Sequence, residues 1–252
     1  MKNIFLLICS IFLAQIGLSQ EQFGKVTYKI SSPDAKELAD KTIKKDITEG
    51  SKYYIEERLK MVVTTLPYIE LELYFTPYEA ILDVENYMKN DNQLNVKSAL
   101  GRTATNGVYY SNIKEDLFLH ETVSFNESYL ITTPFNELDW EIHDETKEIL
   151  GYTCIKATTT LEYPFNDFPT TVWFAPELPF PFGPKEFRGL PGLILGMEFN
   201  YFYFYANAID LEIKPKRIKR PSKGKKVSRE VFFEELIEHE RAFLKSIGRK
   251  RE

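Results

Sequence analysis

Residues that usually carry covalent or metal chemistry are scarce in this chain, which has 2 Cys, 2 Trp and 3 His among 252 residues. Cys9 falls inside an apolar N-terminal stretch, so Cys154 is the one thiol left beyond it and no internal disulfide is expected. No Gly-x-Ser-x-Gly elbow is present, and Lys223-Gly224-Lys225 lacks the spacing of a phosphate loop. A net charge of −5 gives no general attraction to nucleic acid. Nothing in the composition calls for a cofactor, and no internal repeat or low-complexity tract interrupts the chain. The apolar run from Ile4 to Ala14 is too short for a membrane span.

That run, preceded by Lys2 and followed by Gly17 and Ser19, reads as a secretory signal peptide over residues 1–20. The residues before Cys9 are Leu7 and Ile8, which argues against a lipoprotein. The chain is therefore expected in the periplasm or outside the cell. About 230 residues remain, enough for one domain with a substantial core. A hydrophobic content of 43% excludes gross disorder. Aromatics are plentiful, with 19 Phe and 15 Tyr, and such side chains suit pleated sheets and grooves for an apolar or sugar ligand.

Period-two alternation dominates, which predicts a mainly β domain over 21–213: a large antiparallel sheet, curved or partly open and barrel-like. Strands are expected at Gly24–Ile30, Tyr53–Thr64, Tyr68–Phe75, Glu79–Val84, Val108–Tyr110, Asp116–Val123, Tyr129–Thr132 and Pro169–Phe174. A helix is expected over Asp34–Ile47, and a polar loop over Glu85–Asn106. One hairpin is read with Trp140–His143 as its first arm, Asp144 and Glu145 in the turn, and Glu148–Leu161 returning. Pro176, Pro179, Pro181, Pro184 and Pro191 lack the ladder donor, which places their segment on the surface or a sheet edge. A basic linker over 214–228 follows, with Lys214, Lys216, Arg217, Lys219, Arg220, Lys223, Lys225 and Lys226. It is read as a solvated tether or a contact for acidic headgroups or an acidic receptor surface. An amphipathic helix over 229–252, capped by Ser228 and carrying Phe232, Leu236, Phe243 and Ile247 on one face, completes the chain.

The most identifying stretch is Gly189, Leu190, Pro191, Gly192, Leu193, Ile194 and Leu195. Its glycines permit a positive φ or a close backbone approach, and Pro191 fixes its own φ, so the stretch reads as a tight turn entering a strand. The apolar run that continues from Leu193 to Ile209 implies a strand covered on both faces. With Trp140, Glu145, Lys147, Gly151, Tyr152, Cys154 and Lys156 upstream, and Trp173, Pro179, Gly183, Pro184 and Phe187 closer by, the heptapeptide resembles the GLPGLI family of exported Bacteroidetes proteins. The resemblance covers about Trp140 to Ile247. It departs after the heptapeptide, where relatives often carry an acid and this chain has Gly196, with Glu198 two residues on. The family has no assigned activity, so no catalytic residue is carried over. Its association with TonB-dependent outer-membrane receptors implies an envelope partner.

Two readings of function follow. In the first, the sheet is a non-enzymatic scaffold that binds a receptor or a small apolar ligand, with Phe180, Phe182, Phe187, Tyr201 and Tyr203 forming the wall. In the second, His143 and Cys154 form part of a hydrolase or metal site. Glu235 and His239, or His143 with Asp144 and Glu145, offer two or three ligands each, which falls short of a zinc site and leaves no metal assigned.

Overall fold

The computed structural model describes residues 23–42, 48–84, 93–213 and 218–246. The expected leader at 1–20, Lys214, Lys216 and Arg217, and the chain beyond Ser246 lie outside the described residues. Within them the strands are β1 (Gly24–Ser31), β2 (Glu70–Phe75), β3 (Glu79–Asp83), β4 (Val108–Asn112), β5 (Leu117–Ser124) and β6 (Glu127–Thr133). The C-terminal half adds β7 (Glu141–Ile149), β8 (Tyr152–Glu162), β9 (Asp167–Ala175), β10 (Leu193–Phe199), β11 (Phe202–Asp210) and β12 (Lys225–Ser228). Four helices accompany them: α1 (Ala35–Thr42), α2 (Glu49–Thr65), α3 (Gln93–Arg102) and α4 (Arg229–Ser246).

All the strands join one sheet in the order β12-β6-β5-β4-β3-β2-β1-β11-β10-β9-β8-β7, an open arrangement that does not close into a barrel. Every neighbouring pair is antiparallel except β12 with β6. The core forms where alternate residues of the strands meet the helices. Val26, Tyr28, Leu71, Leu73, Phe75, Phe174 and Phe204 belong to one buried cluster with Leu38 of α1, Leu59 and Val62 of α2, and Ala99 and Leu100 of α3. Each fully buried Leu or Phe there stabilises the fold by about 1.5–3 kcal/mol.

Two segments read as non-helical from sequence are helices. The aromatic, β-branched run at Tyr53–Thr64 forms most of α2, capped by Thr48, whose Oγ1 accepts from Ser51 N at 3.3 Å. Tyr53 and Tyr54, the residues that most favour a strand, lie on the solvent side of that helix, while Leu59 and Val62 reach the core. Likewise α3 occupies part of the stretch expected to be a loop, because Ala99 and Leu100 have a core to join.

Turn chemistry accounts for the remaining departures. Phe125–Asn126, Leu150–Gly151 and Asn200–Tyr201 each place two consecutive residues at positive φ, the signature of two-residue hairpins whose twist matches the strands. Asn200–Tyr201 therefore splits the expected Leu193–Ile209 strand into β10 and β11. Leu150–Gly151, rather than Asp144–Glu145, is the turn between β7 and β8. His143, Asp144 and Glu145 instead form a bulge on β7, where the register passes from Ile142↔Ala157 to Thr146↔Ile155.

The basic segment is docked along its described length. Arg220 pairs with Glu115 at 2.7 Å, the Lys223 amide donates to Glu121 Oε2 at 3.0 Å, and β12 adds a parallel edge to β6. Helix α4 then packs back on its own sheet, with Phe232 edge-on to Tyr129 at 5.0 Å and Phe233 against Tyr163 at 5.1 Å.

Candidate functional site

The heptapeptide is a corner, and its two glycines act differently. Gly189 has φ +93, and a Cβ there would meet Asn136 Oδ1 and Trp140 Nε1 at an ordinary 3.9 Å, whereas a Cβ on Gly192 would lie 2.3 Å from the Ala175 carbonyl oxygen. Three short turns centre on prolines: Phe180 N donates to Leu178 O, Phe182 N to Phe180 O and Gly192 N to Leu190 O, at 2.7–2.8 Å. These i to i+2 bonds suit proline, whose fixed φ is that of an inverse γ-turn. Pro176, Pro179 and Pro191 face solvent as expected, but Pro184 and the whole run 182–188 are buried, and Leu178, Phe180 and Phe182 point inward, so the segment is not the surface stretch that its prolines implied. The segment thus covers β10, whose residues are all buried except Glu198. A bulge at Leu195 leaves the Ile194 carbonyl free to accept from Tyr28 Oη at 2.7 Å.

Immediately before the corner lies a buried ionic cluster that sequence reasoning missed. The Arg188 side chain is 1% exposed. Its Nη1 donates to Glu186 O at 2.6 Å, and its Nη2 to Pro134 O at 2.6 Å and Thr133 Oγ1 at 3.0 Å, while Nε has no partner. Glu137 Oε2 joins Arg188 to Arg229 of α4, at 3.4 and 3.1 Å. Lys185, at φ +58, places its ammonium 3.9 Å from Glu186 Oε2 and 3.5 Å from the Phe199 ring centre. Burial pulls the Lys185 ammonium down to about 8, partly opposed by Glu186. Burial also works against the Glu186 carboxylate, but Lys185, His120 and Arg229 outweigh it and leave its pKa lowered. Tyr163 donates to Glu186 Oε1 at 3.1 Å. The one sequence signal for the cluster was the presence of Lys185, Glu186 and Arg188 amid prolines and aromatics.

An open cleft of about 1360 Å³ lies across the ends of β7, β8, β9, β10, β11 and β1. Asp139, Glu141, Asp167 and Glu198 line it with carboxylates, against Lys41 and Arg102 as cations. Ser31, Thr158, Thr160 and Thr171 add hydroxyls, and Trp140, Phe168, Tyr201 and Tyr203 add aromatic surface. The Trp140 indole donates from Nε1 to Arg188 O at 2.9 Å, which ties the cleft wall to the buried cluster. Lys147 donates to Tyr203 Oη at 3.0 Å and lies 4.2 Å from the Trp173 ring centre. Tyr203 also stacks on Tyr205 at 5.8 Å.

The five aromatics singled out from sequence separate into two groups. Tyr201 and Tyr203 line the cleft. Phe180, Phe182 and Phe187 are 5%, 1% and 0% exposed and pack on Phe75, Phe135 and Phe199, so they form core rather than a ligand wall. Alternation along an irregular proline-rich segment cannot be read without its turns, which is why the two environments were merged.

His143 and Cys154 are not brought together. His143 Nε2 lies 2.8 Å from Thr158 Oγ1, four residues along the extended β8 from Cys154, or about 13 Å. Cys154 is 0% exposed and burial pushes its thiol up to about 11, against formation of a nucleophilic thiolate. Glu235 is engaged by Lys225 and Tyr129, and His239 stacks on Phe125. Among the described residues no three His, Cys, Asp or Glu side chains gather as a metal-binding group.

A family model described as "Protein of unknown function (Porph_ging)" matches residues 165–196, which span β9, the proline-rich segment, the heptapeptide and the start of β10. No curated protein matches the chain. Among solved structures it is similar to PNGF-II, with a TM-score of 0.52 and 16% identity over 87% of this chain and 34% of that chain in the P21 form. The C2 form gives a TM-score of 0.48 and 17% identity over 87% and 33%. The chain thus spans about a third of the length of PNGF-II, and at this identity the likeness concerns the fold alone. The chain is a sheet-rich protein that shares a short segment with a Bacteroidetes-associated family of unknown function.

Proposed function

We propose that this chain is a non-enzymatic binding protein of the bacterial cell envelope, exported by its N-terminal leader to the periplasm or beyond, and that the cleft across β7–β11 and β1 is its ligand site. The single observation that carries the reading is the composition of the cleft: accessible aromatics, carboxylates and hydroxyls converge there from six strands of one rigid sheet. The sealed, protonated Cys154 supports binding over nucleophilic chemistry. Membership of the GLPGLI family accords with the matched segment, which contains the whole heptapeptide. Its association with outer-membrane receptors makes such a receptor the natural recipient of a ligand carried in the cleft.

Native mass spectrometry of the protein purified from its own envelope tests the reading. A retained small molecule that is lost in a Tyr201→Ala, Tyr203→Ala double variant is the expected result. Retention unchanged by the double variant, or a protein that is empty and takes up nothing from envelope extract, overturns it.

A further inference from the structure

The strand registers place six oxygen-bearing side chains in one line across the sheet. Glu141 on β7 faces Thr158 on β8, Thr158 faces Thr171 on β9, Thr171 faces Glu198 on β10, Glu198 faces Tyr203 on β11, and Tyr203 faces Ser31 on β1. Residues directly opposite one another on paired strands share a face. All six line the cleft, and none is buried. With strands about 4.8 Å apart, the row is about 24 Å long measured along the sheet, which curls here enough for Lys147 of β7 to reach Tyr203 of β11. Two members are held in place by neighbours: Thr158 by His143 Nε2 at 2.8 Å and Tyr203 by Lys147 Nζ at 3.0 Å. Trp140, Phe168 and Tyr201 also line the cleft, at the strand ends beside the row.

Building on the binding reading above, we infer that the cleft takes a glycan chain laid along this row. The row's backbone positions repeat at roughly the length of a pyranose ring, with the Tyr203 hydroxyl turned aside over Gly196, and the hydroxyls and carboxylates of Ser31, Glu141, Thr158, Thr171 and Glu198 answer the vicinal hydroxyls of successive sugars. Carboxylates accept two hydroxyl donors at once, and charge-assisted bonds of this kind are the stronger ones. Aromatic side chains give the apolar face of a pyranose a surface to lie on. A purely apolar ligand fits poorly, because it would strip water from Glu141 and Glu198 without replacing their hydrogen bonds. A basic peptide is the competing occupant, since carboxylates outnumber cations in the cleft.

The test uses the whole mature chain with cellohexaose, maltohexaose and chitohexaose, their disaccharides, hexalysine and oleate, each titrated by calorimetry. At least one hexasaccharide is expected to bind saturably, at least tenfold more tightly than its disaccharide. Glu198→Ala and Thr171→Val are each expected to weaken it at least fivefold while leaving the thermal midpoint within about 2 °C. Binding of hexalysine or oleate alone, or of a hexasaccharide no better than its disaccharide, overturns the glycan row and leaves the binding reading standing. Failure of every probe also overturns it; the native mass spectrum then decides separately whether the cleft holds any ligand.

Discussion

The cleft and the buried ionic cluster are both rich in charge, are joined through Trp140 and Arg188, and yet differ in what surrounds their charges. In the cleft, Glu141 on β7 and Glu198 on β10 stand in solvent, with β8 and β9 between them in the finished sheet. Under the heptapeptide, Lys185 and Arg188 have side chains 1% exposed and are held by a carboxylate, carbonyls and ring faces. A charge of the first kind can be spent on a ligand, because removing it leaves the packing intact. A charge of the second kind is part of the packing: loss of Arg188 strands the carbonyls that it bridges, whereas the Lys185 ammonium is itself disfavoured by its burial. The stretch that best identifies the chain therefore packs into the core, and other segments line the cleft.

The sharpest way to break this comparison is Arg188→Met. It leaves the Glu186 and Pro134 carbonyls without their guanidinium donor, and a loss of about 3–5 kcal/mol in denaturant unfolding is expected. A loss below 1 kcal/mol would show the cluster to be as dispensable as the cleft charges.

Lys185 gives an effect of the opposite sign. Its ammonium titrates at about 8 in the folded chain and at the ordinary 10.5 when unfolded. Between those values the unfolded chain holds the extra proton, so the contribution of this group to stability rises with pH and is most unfavourable below about 8. Lys185→Met is expected to stabilise the protein at pH 7, by at most about 3 kcal/mol, and to flatten the rise between pH 8 and 10.5. Paired urea titrations at pH 7 and pH 10 check both parts.

The two motif glycines sharpen the comparison from within. Gly192→Ala drives a Cβ into the Ala175 carbonyl, and about 1–3 kcal/mol of destabilisation is expected from displaced backbone. Gly189→Ala meets no atom closely and bears only the cost of its positive φ, about 1 kcal/mol. Thermal unfolding that ranks Gly189 above Gly192 would contradict the assignment of close approach to Gly192. The smallest effect belongs to the cleft: Glu198→Gln should move stability by no more than about 0.5 kcal/mol, and a larger loss would erase the distinction between the regions.

Particular residues mark how far the site was legible in advance. Tyr201 and Tyr203 were singled out for the aromatic richness of their segment, although that segment was read as one strand covered on both faces; the turn at Asn200–Tyr201 is what brings them to the cleft. Thr158, Thr171 and Ser31 were not, since a hydroxyl on a strand says nothing until its opposite neighbours are known. Phe180, Phe182 and Phe187 were assigned to the wrong surface because their direction depends on turns about Pro179 and Pro181. The hairpins at Phe125–Asn126 and Asn200–Tyr201 contain no glycine, so the usual sign of positive φ was missing.

By itself the sequence determined the mainly β character, the turn before β10, the burial of Cys154 and the amphipathic helix α4, since these rest on local periodicity and backbone stereochemistry. Tertiary structure alone decided the registers, the docking of the basic segment and the enclosure of Lys185, Glu186 and Arg188. Those depend on contacts between distant parts of the chain, such as Ser31 with Tyr203 and Arg188 with Thr133, whose pairing is fixed only when the whole sheet assembles.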